Sequence, residues 1–290
     1  GGTGSALAAY SRQAMDISPL RVAVLGAGLM GSGIAAEYAV AGHQLRVTTS
    51  PRTSPEEALA PVRSHLQNGS SLEWCATTAQ AAAGADIVIE SLPEDLELKR
   101  RQLGEAQGSA PSAILCTNTS SFTLQEVGGE LVDPTRLVGT HYLNPPAAFP
   151  IMELVVSQSS DPEVVRRMEG VLRSLGKLPI RVGDVPGFVI NRLQFALLRE
   201  AVHLVEMGQV AASDLDRIVS EGLALRWTVA GPLATAELGG PELFRRLAAR
   251  LWPRLSCRSE APGHMRLLGL SSSELETLQA ERDRRLSGSV

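Results

Sequence analysis

Residues 20–40 read LRVAVLGAGLMGSGIAAEYAV, and this stretch decides the fold. Its first six residues form an apolar, partly β-branched run that is typical of a buried strand. A Gly-x-Gly-x-x-Gly turn follows the run, and the sequence from Ser32 to Ala41 then favours a helix. A strand, a glycine turn and a helix in this order predict a loop in which backbone N–H groups and a helix N-terminus hold the pyrophosphate of a dinucleotide.

The glycines of this turn have separate predicted roles. Gly26 allows the tight turn after the strand, Gly28 lets the backbone approach a pyrophosphate, and Gly31 permits close packing of the helix on the strand. Leu29 and Met30 lie between the last two glycines, so we expect their backbone to contact the cofactor as well. A glycine turn without a ligand is the alternative, but the preceding strand, the spacing and the following helix disfavour it.

The end of the second expected strand, Leu45–Thr49, bears on the choice of cofactor. Sites that prefer NAD usually place an acid there to bind the ribose hydroxyls. Here Thr49, Ser50 and Arg52 occupy that position, and no acid occurs before Glu56. Hydroxyl groups and a guanidinium suit a 2′-phosphate, which a carboxylate would repel. The sequence therefore predicts NAD(P)(H) binding with a preference for NADP(H), although Arg52 could also be a solvated loop charge.

Apolar runs that indicate strands alternate with helical stretches up to residue 183. This alternation predicts a parallel α/β sheet. The later strands are expected at Asp86–Glu90, Ala113–Cys116, Leu137–Thr140, Met152–Val156 and Leu178–Val182. Helices are expected between several of them, such as Glu94–Gln107 and Pro162–Leu175. We therefore predict an NAD(P)-binding domain over residues 20–183, preceded by a disordered tail or cloning remnant at residues 1–19.

The pattern changes after the segment GDVPG at residues 183–187, because period-two alternation almost disappears. Residues 184–290 are therefore predicted to form an all-α domain for substrate binding and dimerisation. Phe188–Met207 is apolar nearly all round, so we expect a helix that is buried on most sides. A surplus apolar helix in a small domain often finds its partner in a second copy of the chain, which predicts a homodimer.

Composition excludes several classes of protein. Of the 290 residues, 44% are hydrophobic, and 27 basic residues stand against 31 acidic ones, which excludes a disordered chain and disfavours a nucleic-acid binder. No apolar run is long enough to span a membrane. The three cysteines are too few and scattered for a disulfide framework, and no cluster has the spacing of a metal site. We expect a reduced, cytoplasmic protein without a metal.

Three further segments carry chemistry. They are TNTSS at 117–121, GTHYLNPP at 139–146 followed by PIMELV at 150–155, and PGFVINRL at 186–193. Together with the glycine turn they resemble the 3-hydroxyacyl-CoA dehydrogenase family over residues 20 to about 240. The sequence is most similar to the lambda-crystallin / L-gulonate 3-dehydrogenase branch, through NPP at 144–146, NRLQF at 191–195, GLALRW at 222–227 and GPL at 231–233. Bacterial carnitine dehydrogenases and polyketide hydroxyacyl dehydrogenases contain similar stretches.

The resemblance implies an α/β Rossmann-type doubly wound sheet followed by an all-α C-terminal domain like that of 6-phosphogluconate dehydrogenase. It also implies that His141 is the general base, that Glu153 is its carboxylate partner, and that Ser120 and Asn191 contact the reacting oxygen of the substrate. The chemistry is consistent, because a histidine titrates near working pH and a carboxylate fixes its tautomer. Ser120 could instead cap a helix, and Asn191 could hydrogen-bond locally.

Further cofactor contacts follow from the resemblance. They are expected after the strands Asp86–Glu90, Ala113–Cys116 and Leu137–Thr140, near the nicotinamide and its ribose. The residues concerned are Leu92, Pro93, Glu94, Lys99, Asn118 and Asn144. Glu94 could equally be an acidic residue that stabilises a helix N-terminus.

The sequence departs from the family in the segment that follows the second expected strand. Members that oxidise fatty acids insert a long, often lysine-rich hairpin there, which helps to hold CoA. Only 45 positions separate Thr49 from Glu94, with Arg52, Arg63 and His65 as the candidate positive groups. We therefore expect a dehydrogenase or reductase of fatty acid or polyketide metabolism that interconverts an L-3-hydroxyacyl group and its 3-oxo form. The acyl group could be carried by CoA or by an acyl-carrier protein. A small free hydroxy acid of the L-gulonate or carnitine type is the alternative substrate, and a non-enzymatic crystallin-like protein is the alternative function.

Overall fold

The computed structural model describes residues 18–50, 53–67, 69–258 and 268–287. It contains two compact units, each treated by itself below. The first comprises the chain up to Asn191 together with the residues from Asp283 onward, and the second comprises Arg192–Arg282. The domain boundary expected at residue 184 stays a prediction. No helix in the described ranges is both long and apolar enough to cross a bilayer.

The first unit is built on an eight-stranded sheet in the described part of the chain. Its strands are β1 (Arg21–Leu25), β2 (Gln44–Thr48), β3 (Ser71–Trp74), β4 (Ile87–Glu90), β5 (Ile114–Thr117), β6 (Leu137–His141), β7 (Ile151–Val156) and β8 (Leu178–Gly183). Their order across the sheet is β3-β2-β1-β4-β5-β6-β7-β8. The chain order reverses between β1 and β4, and ligands of doubly wound sheets bind where such a reversal occurs.

Helices cover both faces of this sheet. They are α1 (Leu29–Val40), α2 (Pro55–Arg63), α3 (Thr78–Ala82), α4 (Leu96–Ser109), α5 (Leu124–Gly128) and α6 (Pro162–Ser174). Val22 and Val24 of β1 pack in the core with α1, α2 and α6, whereas Ala23 and Leu25 pack in the core with α3, α4 and α5. A strand that is buried on both faces is mostly apolar, which explains the nearly continuous apolar run at residues 20–25.

The expectation of a wholly parallel sheet is wrong at one position. Strand β7 runs antiparallel to β6, whereas β8 is again parallel to β7. The connection between β6 and β7, residues 142–150, is too short to hold a crossover helix, so the chain can only turn back. Strand β3 was not among the strands expected from apolar runs, because it lies at the sheet edge and its sequence SLEW is largely exposed.

The second unit is helical, and α7 (Ile190–Glu206) leads into it. A π-helix at Ile218–Leu223 and a 3-10 turn at Trp252–Arg254 accompany five further helices in the described ranges. These are α8 (Ala212–Arg217), α9 (Ala224–Trp227), α10 (Pro232–Leu238), α11 (Pro241–Leu251) and α12 (Ser272–Ser287).

The expectation that the apolar helix is buried on most sides is wrong for the single chain. In α7 only Val202 is buried, and the side chains of Leu193 and Phe195 are each 60% exposed. The short helices of this unit bury little, because none of α8 to α11 contains a buried residue. The predicted homodimer stays a prediction.

Candidate active site

The glycine turn leaves room for an anion at the N-terminus of α1. Gly26 adopts a φ of +95°, and a Cβ there would lie 2.7 Å from the backbone oxygen of Ser91. A Cβ on Gly31 would lie 1.9 Å from the Gly26 oxygen, whereas a Cβ on Gly28 would meet nothing within 4 Å. Helix α1 begins at Leu29 without a side-chain cap, so the first N–H groups of the helix are available to a ligand. The turn therefore fits a pyrophosphate.

Hydroxyl groups surround the end of β2. The backbone oxygen of Thr48 accepts hydrogen bonds from the N–H groups of Gly26 and Ala27, which ties this strand end to the glycine turn. The hydroxyl of Thr49 accepts a hydrogen bond from the indole N–H of Trp74 at 3.2 Å. The expected contribution of Arg52 lies outside the described residues, whereas Ser50 directly follows Thr49. Sequence reasoning missed Trp74, because the edge strand β3 that it ends was itself not predicted.

Glu94 fixes the turn that carries Ser120. Its Oε1 accepts hydrogen bonds from the backbone N–H groups of Ser120 at 3.0 Å and Ser121 at 2.9 Å, and from the Thr119 hydroxyl. Burial alone would raise the pKa of Glu94, but these hydrogen bonds and the nearby Lys99 ammonium lower it to about 2. The cap of α4 is the neighbouring Asp95, not Glu94, so the structure gives this carboxylate a positioning role toward Ser120.

Acid should therefore loosen the Ser120 turn. Because the pKa of Glu94 is about 2 in the folded chain and 4.5 ordinarily, its stabilising effect is complete above about pH 4.5 and is lost as the pH falls toward 2. We expect the amide chemical shifts of Ser120 and Ser121 in NMR spectra to titrate with a midpoint near pH 2. Glu94→Gln should abolish the titration and displace both shifts at pH 7. Wild-type shifts that titrate with a midpoint near the ordinary pKa of 4.5 would contradict this role.

A second set of buried charges lies beneath the same edge of the sheet. The Lys99 ammonium is 2.8 Å from Oε1 of Glu90 and donates to the backbone oxygen of Leu92, with 1% of the side chain exposed. Glu90 is fully buried and also accepts hydrogen bonds from Thr117 and from the N–H of Leu92. Lys99 therefore lies behind the Leu92–Glu94 turn. Glu90 was not predicted, although an acid that ends an apolar strand was visible in the sequence.

His141 and Glu153 lie directly opposite each other across β6 and β7. The His141 Nδ1 is 2.7 Å from Oε2 of Glu153, and the two residues are only 3% and 2% exposed. On the other side of the ring, Nε2 is 3.2 Å from the Ser120 hydroxyl oxygen. The Phe188 ring covers the imidazole, with 5.4 Å between the ring centroids. The structure therefore brings three of the predicted catalytic residues into one hydrogen-bonded row.

The second carboxylate oxygen of Glu153 binds the start of α7. It accepts hydrogen bonds from the backbone N–H groups of Val189 at 2.8 Å and Ile190 at 3.0 Å. Burial alone would raise the pKa of Glu153, but the hydrogen bonds from His141 and from these two N–H groups outweigh burial and lower it. Glu153 is therefore ionised at neutral pH, and it holds both the imidazole and the first turn of α7.

The remaining predicted residues lie around this row. The Asn191 side chain donates to the backbone oxygen of Ser120 at 2.9 Å. Asn118 accepts a hydrogen bond from the N–H of Tyr142 at 3.1 Å, which joins the ends of β5 and β6. Pro93 follows β4, and Asn144 lies in the connection between β6 and β7. In the described ranges, no group of His, Cys, Asp and Glu side chains is arranged to hold a metal ion.

Comparison with known proteins decides the family. The model of the 3-hydroxyacyl-CoA dehydrogenase NAD-binding domain matches residues 21–185, and the model of the C-terminal domain of that family matches residues 187–262. The chain belongs to the 3-hydroxyacyl-CoA dehydrogenase family. It is therefore an NAD-binding oxidoreductase of a class that acts on CH–OH groups. These matches confirm the predicted resemblance, fold class and enzyme class.

Three curated relatives show the range of this family. A 5-formyl-3-hydroxy-2-methylpyridine 4-carboxylate 5-dehydrogenase of Mesorhizobium japonicum is 32% identical, over 91% of this chain and 95% of the relative. An L-carnitine dehydrogenase of Streptomyces coelicolor is 35% identical over 77% of this chain and 74% of its own length. A human lambda-crystallin homolog is 33% identical over 75% of this chain and 74% of its own length.

Two solved structures share the fold of this family member. The crystal structure of a 5-formyl-3-hydroxy-2-methylpyridine 4-carboxylic acid 5-dehydrogenase, titled an NAD+ dependent dismutase, has a TM-score of 0.83 and 30% identity, and the match covers 92% of this chain and 96% of that one. The 3-hydroxyacyl-CoA dehydrogenase of Archaeoglobus fulgidus has a TM-score of 0.69 and 32% identity, with 81% and 80% covered.

Proposed function

We propose that the chain interconverts an L-3-hydroxyacyl group and its 3-oxo form by hydride transfer, with His141 as the general acid and base. The observation that carries the proposal is the hydrogen-bonded row of buried Glu153, buried His141 and the more exposed Ser120, at the edge of the sheet that also bears the glycine turn. A buried, carboxylate-oriented imidazole beside a hydroxyl group is the arrangement that proton removal from an alcohol requires.

The proton is handled by His141. Because the ionised Glu153 can only accept, Nδ1 of the imidazole carries a proton and Nε2 presents its lone pair. In oxidation Nε2 takes the proton of the substrate hydroxyl, and in reduction it returns a proton to the carbonyl oxygen. When bound, the nicotinamide accepts or supplies the hydride at C4.

Two residues orient the substrate. The Ser120 hydroxyl, beside Nε2, holds the reacting oxygen in line with the ring. Asn191 positions Ser120 through its backbone oxygen and offers its amide to the same substrate oxygen. Glu153 stabilises the imidazolium that forms, as a carboxylate does for a catalytic histidine.

For the cofactor we propose NADP(H), supported by the hydroxyl groups of Thr49 and Ser50 at the end of β2 and by the absence of an acid before Glu56 in the sequence. A preference for NADP(H) would make reduction of a 3-oxo group the favoured direction. The pyridine carboxylate relative is NAD+ dependent by its title, so the preference is a point on which this chain would differ from it.

A second candidate substrate is a small free hydroxy acid. The described segment between β2 and β4 offers few basic groups for the phosphates of CoA, Arg63 and His65 among them, and both are exposed. Several relatives are named as L-carnitine dehydrogenases. A short segment with few positive charges suits a substrate without a nucleotide carrier, or an acyl group delivered by a carrier protein.

One assay panel separates these possibilities. The purified chain is tested with NADH and NADPH against free 3-oxo acids, their CoA esters and their carrier-protein esters. We expect turnover of an ester, with kcat/KM about ten-fold higher for NADPH, the effect of one charge-assisted hydrogen bond. A strong NADH preference would contradict the cofactor proposal, and turnover of free acids alone would select the second candidate. Nucleotide binding without turnover of any substrate would indicate a crystallin-like protein.

A further inference from the structure

The connection between β6 and β7 joins the two proposed catalytic residues. It covers residues 142–150, begins directly after His141, and ends shortly before Glu153. It also carries Asn144, a predicted cofactor contact. A connection with this position must be held in place, because any shift moves the proposed site.

One lysine donates hydrogen bonds to the backbone of this connection. Lys177 lies just before β8, and its ammonium donates hydrogen bonds to the backbone oxygens of Pro146 at 2.8 Å and Phe149 at 3.1 Å. The same nitrogen is 2.5 Å from Oε1 of Glu37, and the side chains of Lys177 and Glu37 are only 5% and 11% exposed. An ammonium has three donors, so these three partners use all of them.

The same contacts join the connection to the glycine turn. Glu37 belongs to α1, whose N-terminus follows the turn. Pro146 packs closely on this helix, because a Cβ on Gly33 would lie 3.1 Å from Cγ of Pro146. Lys177 therefore links the helix that would face the pyrophosphate to the connection beside the proposed catalytic pair.

We propose that Lys177 is a positioning residue that holds residues 142–150 against α1, and so sets the nicotinamide end of the cofactor site relative to the phosphate end. The inference rests on the proposed function, because it assumes that the nicotinamide lies beside His141. Removing the ammonium takes a hydrogen-bond donor from the oxygens of Pro146 and Phe149 and leaves Glu37 without its counter-charge, so the connection should leave its place on α1.

Lys177→Met should weaken binding of the nicotinamide half alone. We expect the Kd of NADH to rise about ten-fold, while that of ADP-ribose stays within about two-fold of wild type. ADP-ribose lacks the nicotinamide ring and depends mainly on the glycine turn and the end of β2, whereas NADH also places its nicotinamide beside the connection at residues 142–150. Binding of NADH is measured by its fluorescence and binding of ADP-ribose by calorimetry. Both are measured at a temperature where circular dichroism shows the wild-type chain and the variant to be folded.

Two further variants make the test decisive. Arg181→Met removes a positive charge from β8 that pairs with Glu169 at the surface, and both Kd values should stay at wild-type level. Gly33→Ala presses on Pro146 from the helix side and should reproduce the selective loss for NADH, even if Lys177→Met does not fold. Equal losses of affinity for both ligands would overturn the inference. So would unchanged Kd values in both Lys177→Met and Gly33→Ala. A wild-type chain that binds ADP-ribose but not NADH would overturn the proposed function and this inference together.

Discussion

His141→Ala is expected to lower kcat/KM by about 10²- to 10⁴-fold, the usual contribution of a general acid or base. The imidazole is buried, with its Nδ1 held by Glu153 and its Nε2 beside Ser120, so the variant lacks the group that is oriented to transfer the proton. The hydrogen bonds of this ring in the described part of the chain go to Glu153 and Ser120, and neither of these residues belongs to the glycine turn. The Kd of NADH should therefore change by no more than about two-fold.

The matched control is His65→Ala. This histidine is exposed and hydrogen-bonds locally to the backbone oxygen of Pro61, so its removal should leave kcat/KM unchanged for a substrate without CoA. Steady-state kinetics of both variants and fluorescence titration with NADH provide the measurements. Retention of full turnover in His141→Ala would eliminate the proposed mechanism, and a parallel loss of NADH binding would point to a structural role for the imidazole.

Lys99→Met is expected to lower the free energy of unfolding by about 3–5 kcal/mol, the cost of leaving a buried charge without its partner. Glu90 is fully buried and 2.8 Å from the Lys99 ammonium. Its other hydrogen bonds, from Thr117 and Leu92, are not enough to replace a full positive charge. Urea unfolding monitored by circular dichroism gives the free energy.

A double variant distinguishes a lost charge pair from lost packing. Lys99→Met combined with Glu90→Gln removes both charges and should recover most of the lost stability, because the remaining amide is neutral. The surface variant Arg181→Met should cost only about 0–1 kcal/mol. If the double variant is as unstable as the single one, the aliphatic packing of Lys99 rather than its charge is responsible.

Local pattern was sufficient to predict the glycine turn and the elements on either side of it. The strand at β1, the turn and α1 are continuous in sequence, so their chemistry can be read without knowing the rest of the fold. The opposition of His141 and Glu153 was also accessible, because two strands joined by a short turn bring residues on either side of it together. The antiparallel direction of β7 follows from the same short connection, although the alternation of strands and helices favoured a parallel sheet.

Contacts between distant charged residues were not accessible in this way. Glu94 was interpreted as a cofactor contact or a helix-terminal charge, yet it binds a turn 26 residues further along the chain. Glu37 and Lys177 each look like solvated charges, because a charged residue in a helix or before a strand is usually exposed. Their burial depends on which elements become neighbours in the sheet.

By itself, therefore, the sequence determined the dinucleotide-binding turn and the alternation of strands and helices, because apolar periodicity and glycine spacing act over a few residues. Its resemblance to the family indicated the residues that carry the proposed chemistry. Only the tertiary structure decided how those residues are held. The carboxylates of Glu90, Glu94 and Glu153 and the ammonium groups of Lys99 and Lys177 acquire their partners when distant segments meet at one edge of the sheet. All of these groups except Glu94 are buried there, so leaving one unpaired would be costly.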